Sequence, residues 1–167
     1  TNMLPDFINK TLDLEIYTDK QIMGELMYFM NAWTGKDQPI ELHSEKYTSI
    51  NYGGIVYKKT AIVFDYLMAY LGEEVMNDCM KTYFEKWKFK HPQPKDVKNV
   101  FEEVSGKDLS WFFDDIIKTT KKLDYSIEKI SNSEDSLDII IKNKGEIEGP
   151  VIISGIKNGE SFNQQWI

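Results

Sequence analysis

The sequence predicts a mainly helical chain that gives way to short antiparallel strands near residue 123. Three observations predict it. Apolar residues recur at the helical period of 3.6 through much of residues 1–122. From Leu123 onward the period changes to 2. The segments beyond that point are separated by Asn, Ser and Gly, the residues that close hairpins. The chain therefore divides into a helical part, residues 1–122, and a strand-rich part, residues 123–167, whose pattern fits the start of a β-sandwich.

The elements follow in order. "LPDFINKTLDL" places Pro5 in a first helical turn, with Phe7, Ile8, Leu12 and Leu14 as apolar points. "TDKQIMGELMYFMNAW" takes Thr18 or Asp19 as N-cap and repeats Ile22, Met23, Leu26, Met27, Met30 and Trp33 at helical spacing. Gly35, Pro39 and scattered charge make residues 34–50 a loop. A helix from Lys58 to Leu71 turns Ala61, Phe64, Leu67, Met68 and Leu71 inward and stops at Gly72. "EEVMNDCMKTYFEKWKF" carries an apolar line through Val75, Met76, Cys79, Met80, Tyr83, Phe84 and Trp87. After "HPQPKD", Asp96 caps a short helix through Val97, Val100, Phe101 and Val104 to Gly106. Asp108 caps the next, with Leu109, Phe112, Phe113, Ile116 and Ile117 on one side. "DYSIEKI", "SLDIIIKN", "PVIISGI" and "SFNQQWI" read as strands, the last two joined at Asn158-Gly159.

At 41% hydrophobic and 13% aromatic, the chain has the material for a packed core. Its 27 acidic against 20 basic residues argue against a nucleic-acid partner, which needs a basic face. The one basic run, Lys118-Thr119-Thr120-Lys121-Lys122, falls at a helix end, where cations complement the backbone dipole. No apolar run reaches the roughly 20 residues of a membrane span. No signal peptide is visible at Thr1, and that start leads us to expect a piece of a longer protein.

Residue patterns on their own supply no complete active site. His43 and His91 stand apart without metal-ligand spacing, so no metal site is expected within the chain. No GxSxG occurs, and Cys79, the only cysteine, sits on an apolar helical face as a small hydrophobe. Gly53-Gly54 is too little to cradle a phosphate. The pairs Glu73-Glu74, Glu102-Glu103 and Asp114-Asp115 fit solvated helix edges.

The order of features carries more. "YGGIVYKKTAIVFDYLMAYLGEE", with Tyr52, Val56-Tyr57-Lys58-Lys59 and Leu71-Gly72, resembles the segment that follows the zinc-binding helices of aminopeptidase N-like zinc metallopeptidases, the gluzincins that include leukotriene hydrolase. "KTYFEKWKFKHPQPKDVKNVFEEVSGKDLSWFFDDII" is similar to that family's next stretch, and the resemblance spans about residues 45–130. It implies the helical C-terminal subdomain of a thermolysin-like catalytic domain, with a β-sandwich-like segment after it.

It also implies a zinc-dependent aminopeptidase parent acting on a peptide substrate. HExxH and the third-ligand glutamate are absent from these residues, so the fragment alone should bind no catalytic zinc and be inactive. By that resemblance, zinc in the parent would polarise the carbonyl and activate water, with a glutamate as base. The matching role in this chain is that of Tyr57, whose phenol donates to the tetrahedral oxyanion. Tyr52 is a candidate for the substrate cleft. Many relatives have glycine three residues after the tyrosine, where this chain has Thr60. The implied partners are the peptide and the rest of the catalytic domain. Export to the periplasm or cell envelope and a cytoplasmic location both stay open. The competing reading is a non-catalytic helical interaction module or inactive homologue.

Overall fold

A computed structural model describes residues 20–132, 137–157 and 160–167. The helix expected around Pro5 and the caps Thr18 and Asp19 lie outside the described residues, as does Asn158-Gly159. The helical part contains α1 (Lys20–Trp33), α2 (Thr60–Leu71), α3 (Glu73–Trp87) and α4 (Pro94–Ser105). Two π-helical segments, Tyr52–Lys59 and Trp111–Ile116, and two single turns, Ser44–Lys46 and Ser49–Asn51, complete its described residues. The strands are β1 (Tyr125–Asn132), β2 (Leu137–Asn143), β3 (Ile152–Lys157) and β4 (Glu160–Trp166). They pair as two separate antiparallel hairpins, β1 with β2 and β3 with β4, each with one register shift.

The core gathers where α2, α3, α4 and the second π segment meet. Leu67 and Leu71, Cys79, Phe101, and then Leu109, Phe112, Phe113 and Ile117 are all buried there. Phenylalanine rings meet edge to face, Phe64 and Phe112 at 5.2 Å and Phe112 and Phe113 at 5.0 Å. That geometry suits the ring quadrupoles. Gly72 ends α2 at φ 86 and Gly106 ends α4 at φ 65. Both are conformations that favour glycine.

Four local expectations need correction. In α2 the inward line runs through Val63, Phe64, Leu67, Tyr70 and Leu71, leaving Ala61 and Met68 exposed. In α3 the core takes Val75, Met76 and Cys79, while Met80 and Phe84 are exposed. Gln93, not Asp96, is the N-cap of α4. Asp96 sits at N3 and accepts the Gln93 N–H at 2.7 Å, one half of a capping box. In α1, Met30 and Trp33 are exposed rather than core-facing, with Trp33 at 89%.

The two parts of the chain pack on each other. The Tyr66 hydroxyl donates to the Pro150 carbonyl, and Trp166 of β4 lies against Tyr66 and Tyr70 of α2. No described helix is long and apolar enough to cross a membrane.

Candidate active site

The loop expected over residues 34–50 holds as far as Thr48, apart from a 3-10 turn at Ser44–Lys46, and the chain is helical from Ser49. Thr48 caps it, its hydroxyl accepting the Asn51 N–H at 3.2 Å. The backbone then widens into the π segment Tyr52–Lys59. This segment contains Gly53 and Gly54, and neither has positive φ. They are therefore not the flexible turn that a Gly-Gly pair suggests. A Cβ at either would meet nothing within 4 Å, so crowding does not require them either.

The widened turn decides where the tyrosines stand. In an α-helix, residues five apart point about 140° away from each other. In a π turn, hydrogen bonding five residues back brings them toward one side. Tyr52 and Tyr57 accordingly meet edge to face at 6.3 Å, and Tyr47 meets Tyr52 at 6.1 Å. Tyr47 is fixed by donating to the Ile40 carbonyl at 2.6 Å, and burial pushes its phenol pKa up. Tyr57 is 64% exposed and Tyr52 45%. The row thus runs from an anchored phenol to a free one.

Thr60 closes the π segment. Its N–H and its hydroxyl both reach the Ile55 carbonyl, the hydroxyl at 3.0 Å. Such back-bonding bends a helix, which gives this threonine a structural part.

Two buried polar residues lock the segment to residues 36–38. Asn51, 3% exposed, donates to the Lys36 carbonyl and to Gln38 Oε1, each at 2.8 Å. Lys59, 5% exposed, places Nζ 2.7 Å from Asp37 Oδ2 and 3.0 Å from the Gln38 carbonyl. Sequence reasoning missed this pair, although a signal existed. Ile55, Lys59, Val63, Leu67 and Leu71 recur every fourth residue, which puts Lys59 on the core side of the helix.

Two clefts flank the segment. One of about 580 Å³ is walled by Tyr28, Trp33, Asp37, Lys59 and Tyr66 among others. The other, about 260 Å³, lies between α1 and Gly53-Gly54, with Lys58 on its wall. Tyr28 borders both, and burial, with the Asp37 charge adding, drives its phenol pKa well above the ordinary tyrosine value. Tyr52 and Tyr57 line neither.

Glu73 and Glu74 are exposed, as expected of a solvated edge, while the other two carboxylate pairs are more engaged. Asp114 binds Lys98 and Lys118, Asp115 binds Lys121, Glu103 binds Lys86, and Glu102 accepts the Leu109 N–H at 3.1 Å. Lys118 and Lys121 of the basic run thus find partners within the chain. Among the described residues no three His, Cys, Asp or Glu side chains are grouped to hold a metal ion.

The sequence model of the Peptidase family M1 domain matches residues 7–116. Aminopeptidase N of Streptomyces lividans is 38% identical over 60 residues, 36% of this chain and 7% of that protein. Aminopeptidase N of Lactococcus lactis subsp. lactis is 33% identical over 72 residues, 43% of this chain and 8% of that protein. The matched region is thus under a tenth of either relative's length. No solved structure matches the chain.

Proposed function

This chain belongs to peptidase family M1, and on that premise we propose that it is part of a zinc-dependent aminopeptidase, in which Tyr57 donates a hydrogen bond to the oxyanion of the tetrahedral intermediate. The observation that carries the reading is an exposed phenol on a segment whose own anchors are buried. Tyr57 is 64% exposed, while Asn51 and Lys59 fasten the turn around it.

The chemistry follows from that arrangement. A phenol protonated at neutral pH can donate to developing negative charge. A donor held in place before the reaction contributes without reorganising during it, and one such donor supplies on the order of 3 kcal/mol. The widened π turn and the edge contact with Tyr52 restrict where Tyr57 points. Tyr52 is assigned to the wall of the substrate cleft.

Among the described residues the donors do not fit a zinc site. His43 and His91 are both exposed, and the described residues offer no three-ligand group. We assign the metal, the general base and the grip on the substrate amine to parts of the parent outside this chain. The helical part to residue 122 is the C-terminal subdomain of the catalytic domain, and residues 123–167 open the next domain.

Tyr57→Phe in the full-length parent tests the assignment. It should lower kcat by about 10²–10³-fold, with metal content and melting temperature unchanged. An unaltered kcat removes Tyr57 from the mechanism, and a full-length sequence without HExxH upstream favours the interaction module instead.

A further inference from the structure

A different surface forms where the helical part meets the strands. Tyr66, Tyr70, Trp111 and Trp166 contact one another edge to face, with Trp111 at 6.0 Å from Tyr66 and 5.7 Å from Tyr70. Trp166 stands 5.7 Å from Tyr66 and 5.4 Å from Tyr70. Gly149 passes so close to this group that a Cβ there would come within 3.0 Å of the Trp111 ring. Its carbonyl accepts the Tyr125 hydroxyl at 2.9 Å. These contacts hold the rings before any ligand arrives.

Beside them opens a cavity of about 390 Å³, lined by Tyr70, Trp111 and Tyr125 together with two acidic residues, Asp108 and Glu148. Both residues are exposed. Hydrogen bonds from Ser110 hold the Asp108 carboxyl below the usual carboxylate range, so it stays charged. Aromatic faces attract cations, most strongly where a carboxylate adds to the field. The chain shows the preference itself. The Lys107 ammonium rests 4.4 Å from the centre of the Tyr70 ring and 3.5 Å from its hydroxyl.

We propose that this junction cavity binds an organic cation, an alkylated ammonium or the guanidinium of a basic side chain, against Tyr70 and Trp111 with Asp108 and Glu148 as counter-charges. Rings exclude water from the alkyl or planar part of such a group, while the two carboxylates select its charge. A neutral molecule of equal size gains only the first contribution. The site is independent of Tyr57 and of the peptidase reading.

The test is a titration of the full chain with tetramethylammonium, with glycyl-arginyl-glycine amide and with uncharged tert-butanol, followed by NMR at the Trp111 indole N–H and the Gly149 amide. Both cations should give saturable shifts in the millimolar range, and tert-butanol should not. Tighter binding of the tripeptide identifies a peptide side chain as the source; tighter binding of tetramethylammonium identifies a free ammonium. The double variant Asp108→Asn with Glu148→Gln alters only exposed carboxylates, and circular dichroism checks that it folds. It should weaken both cations by about 5-fold. Equal shifts with tert-butanol, no saturation by either cation, or unchanged affinity in the double variant overturns the proposal.

Discussion

Replacing Lys59 with methionine removes one charge from the anchor of the candidate site and keeps most of the side-chain volume. The Lys59 side chain is 6% exposed and that of Asp37 16%, so the variant leaves a carboxylate largely out of water without its partner. Breaking such a pair costs about 3–5 kcal/mol. Asp37 keeps the Gln38 N–H at 2.9 Å and a little solvent, which places the expected cost at the lower end, about 3 kcal/mol. With a urea dependence of about 2 kcal/mol/M, the unfolding midpoint should fall by about 1.5 M. Adding Asp37→Asn removes the stranded charge and should restore at least half of the loss. Urea melts of the wild type, both single variants and the double variant complete the cycle. Strictly additive costs, or a Lys59→Met midpoint equal to wild type, would refute the claim that this pair holds the π segment.

Further outcomes concern the rest of the chain. Hydrogen bonds from Lys118 and then Lys98 hold the Asp114 carboxyl below its usual range. Its contribution to stability is therefore present above the unfolded pKa of about 4 and is lost as pH falls through the lower folded value. The same bonds raise Lys98 and Lys118, whose contributions hold below about pH 10 and fade as pH rises through their folded values. Melting temperature against pH should show a flatter acid limb in Asp114→Asn. Gly145→Ala would set a Cβ 2.2 Å from the Lys122 carbonyl oxygen and 2.7 Å from the Asp124 nitrogen, both backbone atoms. It should cost about 2 kcal/mol or more in a urea melt. Cys79 is fully buried and its thiol pKa is pushed up by that burial. A thiol reagent should label it only at the rate at which the chain opens, and fast labelling of the folded chain would contradict its placement.

Much of the architecture was legible because it depends on local pattern. The change of period at Leu123, the stops at Gly72 and Gly106 and all four strands follow from one residue's preferences and its near neighbours. Helix boundaries were less so. The Asp96 signature was real, but the choice between N-cap and N3 depends on Gln93 accepting the backbone N–H in turn. Which apolar residues face inward was also only partly readable. The stripes of α1 and α3 are wide enough to satisfy more than one neighbour, and α3 leaves Met80 and Phe84 exposed.

The sequence by itself determined the ordered motif string, and with it the family and the singling out of Tyr57 and Tyr52, because motif identity depends only on residue order. Tertiary structure alone decided that Gly53 and Gly54 are helical, that Thr60 closes a π turn and that Lys59 is buried on Asp37. The reason is physical. A π turn is less favourable locally than an α turn and forms where distant contacts hold it. Here those contacts come from residues 36–38, between 13 and 22 positions away along the chain.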